Sequence, residues 1–334
     1  MRVTPQPQHL TLVENFMASH GIGMAPQTIV TSGGLSPLCA AKYSLDRNAS
    51  PHPPSMLGFF RESLGNGKFR ILNDMLGYGQ GARIHHTSEP VQRTLDDTLG
   101  NVVEEAAGMI ASTKPFSREL DEDSYALSNP ILTGRFGGMR TDDDGKAKRE
   151  DIMDLFKAGL LKLAFDAEDT VDHFSNVSEQ LFLADIPLGA AVVSEILAKV
   201  YKIRRGREAY VEEAHAKAAE GFENSIRAFR GMPEETSYLL LRSVWNAFLA
   251  RDYGHLGVLW SRLADLYGKH SYHREAMKNA FRASWANIMQ APEGTQLSRS
   301  MNLAATEALK LEDAGLNREI AELIGEVKDA MPRE

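Results

Sequence analysis

From about residue 176 onward this chain almost stops punctuating itself, and that change constrains its fold more than any other feature. Before it, Gly and Pro recur every few residues. After it, long segments carry apolar residues at helical spacing, and each segment ends at a stop signal. The pattern predicts helices near 176–185, 188–204, 207–230, 234–251, 255–268, 272–290, 296–313 and 316–330. The breaks fall at Ile186-Pro187, Gly206, Gly231 to Pro233, Gly254, His270-Ser271, Pro292 to Gly294 and Gly315. Connections this short force successive helices to run antiparallel. No segment alternates convincingly with period two between turns, so the chain reads as all-α with little or no sheet.

The region ahead of residue 176 reads in two parts. Residues 1–86 read as an irregular, partly mobile N-terminal arm lying over the helical body, broken by Pro51-His-Pro53-Pro54, Gly65-Asn-Gly67 and Gly77-Tyr-Gly79-Gln-Gly81. Inside it, Thr11-Leu-Val-Glu14 has the form of a capping box, and Gly21 is a natural stop. Residues 87–175 read as a helical segment with a loop over 112–148. Its helices start near Ser88 and near Glu150, the second with a stripe of Ile152, Leu155, Phe156, Gly159, Leu160 and Leu163. Residues 176–334 form the third part, an antiparallel α-helical bundle or solenoid.

One hairpin carries more than periodicity. Trp260, Leu263, Ala264, Tyr267, Ala276 and Ala283 stand where large, medium and small residues interlock two helices. Over residues 255–290 the chain resembles the tetratricopeptide family. It departs from that pattern where Ala280 takes the place of the aromatic on the second helix, with Phe281 one position later. The terminal proline is also late, at Pro292 rather than at Ile288. The resemblance implies a helix pair whose first helix turns its non-packing residues toward a groove. Counted from Trp260, those residues are Val258, Ser261, Asp265 and Lys269.

Bulk chemistry excludes several classes. The formal net charge of −8 gives no general attraction to nucleic acid or to an anionic membrane. Cys39 is the single cysteine, so neither an intrachain disulfide nor a cysteine-built zinc site is available. No apolar run approaches the roughly 20 residues that span a bilayer. The opening Met-Arg-Val-Thr-Pro-Gln-Pro-Gln has no signal-peptide core. The expectation is therefore a soluble, cytoplasmic protein. Secretion as a bacterial effector, with no cleaved signal peptide, is the alternative.

Candidate chemistry is sparse. Asp142-Asp-Asp144-Gly145 with Asp151 has part of a calcium loop, but Arg140 occupies the place of the first acidic ligand. Asp166, Asp169 and Asp172 lie three apart and would line one side of a helix. Facing Asp96-Asp97, they could hold Mg²⁺ against a diphosphate. Without that facing cluster they are a solvated acidic surface. His85-His86 are adjacent and point apart, and His215, His255, His270 and His273 fall on different helices. Gly77 to Gly81 mimics a dinucleotide fingerprint without the strand and helix that such a turn needs. Gly134 to Arg140 and Lys202 to Arg207 read as a loop and a basic helix end.

These observations favour a non-catalytic interaction or scaffold protein with no cofactor. Its expected partner is a protein or peptide, basic in character, held in a helical groove. The alternative is a helical Mg²⁺-dependent enzyme acting on a diphosphate through Asp166, Asp169 and Asp172.

Overall fold

The computed structural model describes residues 7–23, 151–152, 154–156, 158–159, 170–203, 208–290 and 294–331. Among these residues the regular structure is helical throughout, with no strand, so the chain is all-α as its sequence predicts. The helices are α1 (Gln8–Ser19), α2 (Thr170–Leu183), α3 (Pro187–Ile203), α4 (Glu208–Ser225), α5 (Pro233–Leu249), α6 (Tyr253–Lys269), α7 (His273–Gln290), α8 (Gly294–Leu309) and α9 (Ala314–Ala330). A 3-10 turn over Ile226–Phe229 prolongs α4. The segments predicted from residue 176 onward match α2 to α9 within a few residues, except that α2 starts earlier, at Thr170. The described residues between 151 and 159 are helical too, and they bury Ile152, Leu155 and Phe156.

The helix ends explain the short connections. After α1, α2, α5 and α6, one residue takes the left-handed conformation and two amides fold back onto the last turn. Gly21 has φ 64°, Asp185 58°, Arg251 55° and Ser271 64°. At the end of α2, the Asp185 amide donates to the Phe182 carbonyl at 3.1 Å and the Ile186 amide to the Leu181 carbonyl at 2.9 Å. At the end of α6, the Ser271 amide donates to Gly268 at 3.1 Å and the Tyr272 amide to Tyr267 at 2.9 Å. This closure satisfies carbonyls that a helix end leaves orphaned and reverses the chain within three residues.

Two sequence-based stops need correction. Gly254 and Gly315 each lie at the second position of a helix rather than in a break. The turns are made by Arg251 and by Glu312 (φ 56°). The following residue then caps the next helix: Asp252 Oδ1 accepts from the His255 amide, and Asp313 Oδ1 from the Leu316 amide, both at 3.0 Å. The N-terminal capping box is also corrected. Helix α1 begins at Gln8 behind Pro7, so Thr11 is already inside it and caps nothing. Its end at Gly21 is as predicted.

A stability prediction follows from these turns. A side chain held at positive φ carries a steric cost that glycine lacks. Ser271→Gly and Glu312→Gly should each stabilise the protein by about 0.5–1 kcal/mol, after allowing for the extra freedom glycine has when unfolded. Urea denaturation would show this as a higher midpoint at constant slope. A lower midpoint in both variants would mean the left-handed turn is not what closes these helices.

The described residues fall into two compact units, one holding α1 with α5 to α9, the other α2 to α4 with the helical residues at 151–159. In the second unit α3 and α4 are antiparallel and very close. A Cβ on Gly221 of α4 would lie 2.8 Å from Ala191 Cβ and 2.9 Å from the Pro187 carbonyl oxygen of α3. Ser178 and Ser194 share a buried 2.6 Å hydrogen bond between α2 and α3. Phe156 meets Phe174 edge-on at 6.4 Å.

In the first unit, α6 and α7 make an antiparallel hairpin and α7 packs on α8. Trp260, Leu263, Ala264 and Tyr267 of α6 are buried with Ala276, Ala280 and Ala283 of α7. Buried hydroxyls stitch the neighbouring crossings. Ser237 of α5 meets the Tyr267 hydroxyl at 3.0 Å, and Ser284 of α7 donates to Ser300 of α8 at 2.9 Å. Helix α1 packs on α7 and on α9. The rest of the segment 1–86 and the loop 112–148 lie outside the described residues.

Candidate partner-binding face

Helix α6 is two-sided. Asp252 sets its start, and the spacing of Leu256, Leu259, Trp260, Leu263 and Tyr267 turns one side into the core. Val258, Ser261, Asp265 and Lys269 follow at intervals of three and four, which places them together along another side. Val258 is 46% exposed, high for a large apolar residue on an otherwise well-packed helix. Asp265 and Lys269 are exposed, and Ser261 is half-buried. The Ser261 hydroxyl donates to the Gly257 carbonyl at 2.9 Å, which leaves its oxygen as an acceptor. The four residues therefore offer one apolar centre, one acceptor and two opposite charges.

Two features of the core brace α6 from its buried side. Arg282 of α7 lies over the Trp260 ring, with its Cζ 5.1 Å from the centroid. Only 6% of Arg282 is exposed. Burial lowers its pKa to about 10, against the opposing pull of Glu275 and Tyr267, so the guanidinium stays charged at neutral pH. It is satisfied by Asn279 Oδ1 at 2.6 Å and by the Gly23 carbonyl at 3.0 Å. At the far end, Glu307 of α8 is buried in a charged cluster. It accepts from His273 Nδ1 at 2.7 Å and from Lys310 Nζ at 2.5 Å, and the bare Cα of Gly268 leaves it room. The sequence scatters its histidines across helices, and here one of them serves to tie α7 to α8.

Sequence reasoning missed the seat of α1. Its stripe of Leu10, Val13 and Met17 is buried together with His9. Around that stripe, Trp285 Nε1 donates to Glu14 Oε1 at 3.1 Å, Phe16 stacks obliquely on Phe281 at 4.7 Å, and His20 Nε2 meets Glu319 of α9 at 3.1 Å. The amphipathic stripe was readable in the sequence. Its pairing with residues some 265–300 positions away was not.

His9 is the flaw in that seat. It is 3% exposed, and neither ring nitrogen makes a well-formed hydrogen bond, only a weak interaction with the Ala330 backbone at the end of α9. Desolvation lowers its pKa below the ordinary 6.5, and the Ala330 backbone at the end of α9 pulls upward too weakly to cancel it. The sign follows from linkage. Well above pH 6.5 the ring is neutral whether folded or not, and its contribution is constant. Below 6.5 the unfolded ring binds a proton that the folded ring resists, so stability falls as pH drops toward the lowered value. Denaturation midpoints at pH 7.5 and 5.5 should therefore differ less in His9→Leu than in the wild type. Equal differences would mean His9 carries no charge-dependent cost.

Of the acidic triplet, Asp172 is exposed near the start of α2, while Asp166 and Asp169 lie outside the described residues, as does Asp96-Asp97. Among the described residues no group of three His, Cys, Asp or Glu side chains converges to hold a metal ion. The calcium-like loop before Asp151, His85-His86, the glycine run at 77–81 and Cys39 also fall outside them. No described helix is long and apolar enough to cross a membrane. Comparison of the chain with known protein families, characterised proteins and solved structures finds no match.

Proposed function

We propose that this protein is a non-catalytic interaction protein, a scaffold that holds a protein or peptide partner on the side of α6 carrying Val258, Ser261, Asp265 and Lys269. The observation that carries the reading is the exposure of Val258 beside charged neighbours on a helix whose other side is anchored by Trp260 and Arg282. An apolar centre with a polar surround, on a rigid element, is the usual build of a binding patch. The tetratricopeptide-like reading belongs to the same proposal. It draws support from the burial of Trp260, Tyr267, Ala276 and Ala283, the residues that interlock a helix pair in that family.

The partner presents a basic segment, in keeping with the chain's net charge of −8, and complex formation weakens as salt screens that attraction. With one apolar contact and a few polar ones, affinity falls on the order of micromolar. A photo-cross-linking residue at position 258 tests this reading in an extract of the source cells. The expected result is one dominant cross-linked protein that is lost at high salt. Cross-links that appear equally from a control position on the outer side of α9, such as Glu322, would remove the proposal.

A further inference from the structure

We propose that the cleft between α7 and α9 is a docking site for an amphipathic helix of a partner protein, and that α1 is its weak intramolecular occupant. The inference rests on the contacts of α1 alone, so it stands whether or not the α6 side binds anything.

Helix α1 already shows what the cleft accepts. It has 12 residues, a length at which an isolated helix is marginal in water, so it owes its structure to the seat. The seat reads a pattern: buried side chains at positions 9, 10, 13 and 17, an aromatic at 16 against Phe281, and an acceptor at 14 for the Trp285 indole. Leu10, Val13 and Met17 stand at i, i+3 and i+7, the spacing of anchors by which a groove recognises an amphipathic helix. Yet α1 fills the pattern imperfectly. Its first buried position is His9, an imidazole shut away from water with only a weak interaction with the Ala330 backbone. Such a group subtracts from docking, because it gives up its hydration and gains only that weak interaction in return. A helix that offers leucine or methionine there, and keeps the acceptor and the aromatic, gains more from the same cleft. Tethering compensates α1 by raising its effective concentration, so a partner helix must bind better than α1 to displace it. His9 supplies that margin. The partner is thus identified by chemistry, as an amphipathic helix with an unbroken apolar stripe where α1 has a histidine.

The test uses the full chain and a fluorescent peptide of residues 7–23 carrying His9→Leu. Three proteins are compared by anisotropy: the wild type, His9→Leu, whose own α1 is improved, and Met17→Asp, whose α1 stripe is spoiled. The peptide should bind the wild type at least tenfold more tightly than His9→Leu, and Met17→Asp at least tenfold more tightly than the wild type. If Met17→Asp fails to fold, the comparison of the wild type with His9→Leu decides alone. Amide exchange in residues 8–19 should accelerate when the peptide binds the wild type. Equal affinity for the wild type and His9→Leu would overturn the proposal. So would no binding to the wild type at millimolar peptide, or binding that leaves α1 protected. A wild-type dimer that the peptide splits into monomers would show that the occupant is a second copy's α1 and would overturn the assignment to a partner protein.

Discussion

Trp260→Ala should lower the unfolding free energy by about 3–5 kcal/mol, the range for removing a large aromatic side chain from a core. Trp260 is 1% exposed and lies between the two helices of the α6–α7 hairpin. Its loss leaves a cavity lined by neighbours that cannot all collapse inward, because the crossings beside it are pinned by Ser237–Tyr267 and Ser284–Ser300. It also removes the ring on which Arg282 rests, and a buried guanidinium without its platform gains no compensation from water. Trp260→Phe keeps a ring and part of the volume, so it should lose distinctly less. Denaturant melts on both variants, read at constant slope, decide the matter. A loss below about 1 kcal/mol for Trp260→Ala would show that the site collapses freely and that the hairpin does not depend on this residue.

Gly221→Ala should cost about 1–3 kcal/mol, although alanine is ordinarily the better helix former. The added Cβ would sit 2.8 Å from Ala191 Cβ, 2.9 Å from the Pro187 carbonyl oxygen and 3.0 Å from Ala191 Cα. These are backbone atoms and the shortest of side chains, so no rotamer change relieves the clash. The α3–α4 pair must separate instead. Gly325 supplies the control. It lies exposed in α9 with nothing within 4 Å of a built Cβ, so Gly325→Ala should stabilise by about 0.5–1 kcal/mol. Opposite signs for the two substitutions are the expected outcome. A stabilising Gly221→Ala would contradict the close approach of α3 and α4.

Much of this architecture was legible because its information is local. The apolar stripes of α5 to α9 repeat every three to four residues, and connections of a few residues leave little choice but antiparallel packing. Glycine as a stop signal was less dependable. It holds at Gly21 and Gly231, which adopt positive φ, and fails at Gly254 and Gly315. There the chain uses Arg251 and Glu312 in the left-handed turn and lets Asp252 and Asp313 cap the next helix. Those aspartates were visible three residues ahead of His255 and Leu316. The glycines beside them, the commoner punctuation, mask that capping spacing.

What stayed illegible is pairing across the length of the chain. Nothing around Glu14 indicates that it accepts from Trp285, and nothing around Arg282 indicates that one of its bonds ends on the Gly23 carbonyl. A capping box reads Glu14 as a local partner of Thr11, whereas tertiary packing takes it for α7. The candidate face was legible in part. Counting from Trp260 places Val258, Asp265 and Lys269 on exposed positions, since helical geometry alone fixes that. Ser261 is different, because its hydroxyl turns back to the Gly257 carbonyl, a local option open to any serine in a helix.

The proposed function turns on whether the α6 side engages a partner, and the double variant Asp265→Lys with Ser261→Arg measures that most directly. Both substitutions lie outside the buried stripe, so the thermal midpoint should hardly move. Affinity for the cross-linked partner, measured by fluorescence anisotropy at low salt, should fall about tenfold or more, since a repulsive charge replaces an attractive one at the contact. Unaltered affinity, with the fold intact, would place the interface away from α6 and contradict the account.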